Sequence, residues 1–153
     1  MSMMEIGRFS TDKWILALKQ ATADNHGYDI DAIYGTRCED HVHGLLQRLA
    51  TQGRVVDILR AQSNDELDIQ QIDFRIWLPS QLVMDMQVKA SVAKAHKVWR
   101  QQKKKRKRQV FYVGVIDDQD QVLDEVLLGD LLARYDAGMD QNKLQHMYWQ
   151  WME

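Results

Sequence analysis

The segment I-D-F-R-I-W-L-P-S-Q-L-V-M-D-M-Q-V-K-A-S, Ile72 to Ser91, carries an alternating run on each side of a single proline. Before Pro79, the apolar residues Ile72, Phe74 and Ile76 alternate with Asp73, Arg75 and Trp77. After it, Met84, Met86, Val88 and Ala90 alternate with Asp85, Gln87 and Lys89. A period of two is the signature of β-strands, and Pro79-Ser80 supplies a turn, so the segment is expected to be a β-hairpin. Side chains two apart on a strand share a face, which puts Asp85, Gln87 and Lys89 together. Hairpin pairing then lays Asp73 beside them. An acid, an amide and a lysine are thereby gathered into one polar patch, whose simplest reading is the solvated face of a half-exposed sheet.

The flanking sequence builds outward from this hairpin. From Glu39 to Gln52, Val42, Leu45, Leu46 and Leu49 recur at i, i+3, i+4 and i+7, and Gly53 follows, predicting an amphipathic helix with a glycine C-cap. Arg54 to Leu59 reads as a strand. Beyond the hairpin, Ala90-Ser91 turns into a helix. Gln109 to Ile116, Q-V-F-Y-V-G-V-I, is an apolar β-branched and aromatic run expected to be a central strand buried on both faces, ended by Asp117-Asp118-Gln119-Asp120. Glu125 to Tyr135 is a further amphipathic helix. A helix is also predicted near Asp12 to Ala23, capped by Ser10 or Thr11, with an irregular link from Asp24 to Gly35. Met147, Tyr148, Trp149, Trp151 and Met152 make the end of the chain aromatic, as expected of a segment that docks on the core. The order helix, strand, hairpin, helix, strand, helix predicts an α/β sandwich around a mixed sheet.

In this order the residues resemble the PD-(D/E)XK nuclease superfamily, whose core is a helix bearing an acid, a hairpin bearing an aspartate and then (D/E)-x-K, and a further helix and strand. The resemblance runs from Gly35 to Tyr135. Glu39 matches the helix acid, Asp73 the hairpin aspartate, and Gln87-Val88-Lys89 the acid-x-lysine, with Gln87 standing where the family usually has Asp or Glu. The resemblance implies a restriction-endonuclease-like α/β/α sandwich around a mixed central sheet, and a metal-dependent DNA endonuclease acting on duplex or branched DNA.

Phosphodiester hydrolysis brings water to an anionic phosphorus centre, so a site must neutralise charge, orient the water and stabilise the leaving oxyanion. Mg²⁺ takes hard oxygen ligands, often one or two carboxylates with waters and phosphate oxygens. Asp73 and Glu39, with the Gln87 amide oxygen and the Val88 backbone carbonyl, are the expected ligands. Because the amide brings no charge, weaker affinity and a tolerance for Mn²⁺ are expected. The Lys89 ammonium is suited to orienting water and countering charge. Asp85 either compensates for the missing acid or is a solvated charge. His43, one helical turn after Glu39, either lines the site or lies on the surface. The alternative reading is a nuclease-fold protein without catalysis that binds nucleic acid or serves as an assembly subunit. A third is an α/β protein whose polar hairpin simply faces solvent.

Composition frames these readings. At 153 residues with 45% hydrophobic content, one Pro and eight Gly, the chain is expected to form a single domain, residues 1–153. Its core is residues 35–135, residues 1–34 a helical N-terminal extension and residues 136–153 an aromatic C-terminal segment. No apolar run is long enough to span a bilayer, and Met1 to Arg8 lacks the apolar core of a signal peptide, so no membrane association and a cytoplasmic location are expected. Lone Cys38 fits a reducing compartment. Cys38, His41 and His43 lie close together but lack a second ligand pair with zinc-site spacing. Net charge is −2, yet Lys94, Lys97 and Arg100 lead into Lys103, Lys104, Lys105, Arg106, Lys107 and Arg108. Such a tract is expected either to hold DNA phosphates without reading sequence or to be a solvated charge run. Cutting both strands of a duplex requires two sites, so a homodimer is compatible with this reading.

Overall fold

The structure, a computed structural model, describes residues 30–103 and 109–153. The predicted helix near Asp12 to Ala23 and Lys104 to Arg108 of the basic tract lie outside the described residues. The element order is α1 (Ile30–Thr51), β1 (Asp57–Arg60), α2 (Glu66–Ile69), β2 (Phe74–Trp77), β3 (Val83–Ser91), α3 (Val92–Gln102), β4 (Phe111–Ile116), α4 (Glu125–Asp136) and α5 (Gln141–Met152). It is an α/β architecture with a four-stranded mixed sheet in the order β1-β2-β3-β4.

The helix predicted to open at Glu39 begins at Ile30 instead, so the end of the expected irregular link is helical. Nothing from Ile30 to Cys38 forbids this: there is no proline, and a glycine such as Gly35 costs a helix only about 1 kcal/mol. Its far end is a Schellman closure, in which the Gly53 amide donates to Ala50 O and the Arg54 amide to Leu49 O. Gly53 has the positive φ, 75°, that this closure needs. The C-cap was legible, and it explains why β1 starts at Asp57 rather than Arg54: Gly53 and Arg54 are used in leaving the helix, and the Val56 amide is the first to reach β2, donating to Trp77 O. Cys38, Val42, Leu45, Leu46 and Leu49 form the fully buried stripe of α1.

The hairpin is present. β2 and β3 pair antiparallel with Phe74 opposite Met86, Arg75 opposite Asp85 and Trp77 opposite Val83, closed by a turn in which Leu78 donates to Leu82 O and Gln81 to Leu78 O. β3 then runs parallel to β4, with Met86 beside Phe111, Lys89 beside Gly114 and Ser91 beside Ile116. A parallel pair needs a crossover, supplied by α3, whose N-cap Ser91 accepts from the Lys94 amide 3.1 Å away. α1 lies on the Phe74/Met86 face, where His43 meets the Phe74 ring at 5.7 Å. Gly114 belongs to the opposite face, and a side chain there would strike Ser91 and Val92, so α3 begins across that face. Helices therefore cover both sides of the sheet.

The expectation that β4 is central is corrected. All six of its residues are buried, but among the described residues it is an edge strand. α3 and α1 pack on its two faces, and its outer border is covered by α5, which the sequence showed only as an aromatic segment. Gln145 accepts from the Tyr112 amide at 2.8 Å and donates to Tyr112 O at 3.0 Å, and Tyr148 Oη accepts from the Gly114 amide at 2.9 Å. Trp149 stacks on His96 of α3, with centroids 4.4 Å apart. The C-terminal segment thus docks on the core as a helix, N-capped by Asp140. Among the described residues no helix is long and apolar enough to cross a membrane.

Candidate active site

β2 begins at Phe74, opposite Met86, whereas β3 continues to Ser91. Past Met86 the two strands part, and the amides of β3 on that side have no strand to meet. Asp73 fills the fork. Its own amide donates to Met86 O at 2.9 Å although Phe74 is the register partner of Met86. Two residues addressing one is the pattern of a β-bulge, which re-aims a side chain. The re-aimed Asp73 carboxylate accepts the Val88 amide at 2.7 Å.

Glu39, on α1, reaches the same point and is hydrogen-bonded to Asp73. Two carboxyls in contact cannot both be ionised at low cost. Glu39 is pushed up from 4.5 to about 7 by burial first, then by the hydrogen bond and charge of Asp73, against the opposing effect of Arg60. Burial also raises Asp73, but the Val88 amide, the Glu39 contact and the Lys89 charge pull it back toward the ionised form. The structure thus brings Glu39 and Asp73 into contact, and the charge of Lys89 lies near enough to act on Asp73. Val88 contributes its backbone amide there.

Other expected members fall elsewhere. Asp85 is neither a substitute ligand nor a solvated charge. It forms a two-pronged ion pair with its cross-strand partner Arg75, at 2.8 and 3.1 Å, with only 12% of its side chain exposed. Register decides this, because Arg75 and Asp85 sit directly opposite. Asp85→Ala is expected to lower stability by about 1–2 kcal/mol in thermal unfolding while leaving metal binding unchanged. Gln87 is 6% exposed and pairs in register with Tyr112, on the face that α3 covers, so it is a buried residue rather than part of an open polar patch. Strand alternation places Lys89 on that face too.

His43 flanks the site, tilted against Phe74, with its imidazole held below its usual range by burial and then by Arg60. Of the nearby Cys and His residues, His41 has its Nε2 bonded to Leu123 O at 2.7 Å, and Cys38 is buried, which pushes its thiol up to about 12. Among the described residues no group of three or more His, Cys, Asp or Glu converges as a metal cage. Lys94, Lys97, Arg100 and Lys103 are exposed along and just beyond α3, and Lys103 lies over the Trp99 ring at 4.8 Å.

Arg60 and Asp40 complete the surroundings and were not singled out from the sequence. Arg60 Nη1 is 2.7 Å from Asp40 Oδ1, and its guanidinium carbon is 5.9 Å from the Phe74 centroid. The only sequence signal was the adjacency of Asp40 to Glu39; the register of β1 against β2, which supplies Arg60, is not written in the local pattern. Comparison with known protein families, curated proteins and solved structures gave no match for this chain.

Proposed function

We propose that the protein is a small metal-dependent DNA endonuclease with a restriction-endonuclease-like fold, its site being Glu39, Asp73 and Lys89 at the fork between β2 and β3. The meeting of Glu39 and Asp73, 34 positions apart in sequence, beside the Lys89-bearing strand carries this reading. Two carboxyls forced to share a proton are a donor set that a hard divalent cation, Mg²⁺ or Mn²⁺, fits better than a proton does. Glu39 and Asp73 would hold it, with oxygens of the Gln87-Val88 segment as further ligands. The cation would supply charge neutralisation at phosphorus and a more acidic water. Asp73, fixed by the Val88 amide, orients the pair. Lys89 places a positive charge where the attacking water and the phosphate oxygens must lie. The exposed lysines and arginine of α3 add backbone attraction without reading bases.

The second reading, a binding or assembly protein without turnover, is favoured by one residue: Gln87 replaces an acid. The two differ in the native protein's response to metal. Plasmid, branched and single-stranded DNA, incubated with Mg²⁺ or Mn²⁺ and with EDTA, should be cut only with metal. Salt-sensitive binding without cleavage on any of them would favour the binding role.

The proton on Glu39 predicts a pH signature. A carboxyl whose folded value is raised stabilises the fold below its unfolded value, about 4.5, and that contribution is lost as pH rises through about 7. Glu39→Gln removes the ionisable group. It is therefore expected to raise stability at pH 8 by about 1–2 kcal/mol, discounted for its partial exposure, with no gain at pH 4. Thermal melts at the two pH values measure this. An equal effect at both would show that Glu39 holds no raised proton.

A further inference from the structure

Arg60 ends β1 and pairs in register with Phe74, the residue following Asp73. Its guanidinium touches Asp40, the residue following Glu39, and lies near the Phe74 ring. Each chain neighbour of the acid pair thus holds Arg60 from one side. Its charge acts on Glu39 as that of Lys89 acts on Asp73, so each member of the acid pair has one cation near it, carried on β1 and β3 respectively. The Arg60 side chain is 27% exposed, and its partner Asp40 is 57% exposed. A solvated pair of this kind adds little to stability. A guanidinium carries five N–H donors in a planar fork matched to phosphate oxygens, and one contact with Asp40 leaves most of them for another acceptor.

We propose that Arg60 is a substrate-binding residue of this site, gripping a backbone phosphate of the DNA strand that crosses Glu39 and Asp73. The inference rests on the nuclease reading and adds a binding residue to it. Lys89 then serves the phosphate being cut, and Arg60 a phosphate beside it. Asp40 holds the guanidinium in place between encounters. Because a phosphate is the acceptor, the contact carries no base preference and contributes to the salt dependence of binding.

The test is binding of a fluorescent duplex oligonucleotide in EDTA across a salt series, with cleavage measured in parallel in Mg²⁺ or Mn²⁺. The proteins are native, Arg60→Ala, Arg60→Gln, Arg60→Lys, Asp40→Ala and Lys89→Ala. Arg60→Ala and Arg60→Gln should each weaken binding roughly tenfold and reduce the salt slope by about one. Arg60→Lys should recover part of that loss, and Asp40→Ala should not weaken binding. A purely structural Arg60–Asp40 pair predicts instead that Asp40→Ala and Arg60→Ala lower the melting temperature alike and leave the salt slope alone; that result overturns the proposal. So does unchanged binding by a folded Arg60→Gln while Lys89→Ala still abolishes cleavage, an outcome that leaves the nuclease reading intact. If the native protein cuts nothing, the nuclease reading fails and the proposal that depends on it fails with it.

Discussion

Lys89→Ala and Asp73→Asn are each expected to reduce metal-dependent DNA cleavage by about 10²–10³-fold, the range seen when one pre-aligned electrostatic group is removed from a reacting centre. The physical case differs for the two. Asparagine keeps a carbonyl oxygen where Asp73 accepts the Val88 amide, so the fork retains its hydrogen bond and loses only the negative charge. Lys89 is part-exposed near the end of β3, and truncating it removes a cation without opening a core cavity. Both proteins should therefore melt within about 1 kcal/mol of the native chain. Stability and cleavage are separable here, and that makes the pair informative. Full cleavage by either variant would mean that the phosphodiester is cut elsewhere.

Gly114→Ala is expected to be the most damaging methyl group that can be added to the described chain. Its Cβ would lie 2.2 Å from the Val92 nitrogen, 2.3 Å from the Ser91 carbonyl carbon and 2.5 Å from Val92 Cα. These are backbone atoms of the junction between β3 and α3, so no side-chain rotation relieves the clash. The strand or the helix start must move. Overpacking of this kind costs about 3 kcal/mol, or roughly 6–12 °C in melting temperature for a domain of this size. The site should suffer as well, because Gly114 is the register partner of Lys89 and α3 is seated immediately beyond it. Thermal unfolding checks the first effect. A near-native melting temperature would show that α3 does not press on β4 this closely.

The hairpin was legible because its two strands alternate cleanly and a proline marks the turn. α1 was legible in its buried stripe and its glycine cap, though not in its start, since nothing in the sequence ends a helix at Glu39. The placement of Asp73 was anticipated in outcome but not in cause. Alternation alone puts Asp73 on the face of Arg75, and the bulge that turns it toward Glu39 has no residue signature. The same limit removes Asp85 from the site: period groups it with Gln87 and Lys89, whereas its fate is set by Arg75 across the ladder. β4 was judged central from its hydrophobicity, which reports burial and not the source of burial. The α5 helix was hidden because its indole and phenol rings resemble a sticky tail until Gln145 and Tyr148 are seen to face β4.

Those two side chains give the sheet borders of opposite kinds. Along β4, the Tyr112 amide and carbonyl, the Gly114 amide and the Val115 carbonyl, which accepts from Leu123, are all engaged, so this border presents no row of free amides as a template for another chain. β1 is four residues long and meets only β2, with Val56 and Leu59 exposed beside it. Among the described residues, the border open to growth of this sheet by strand addition, whether orderly pairing or runaway aggregation, is that short one beside Arg60. A lysine in place of Leu59 would guard it without touching the core.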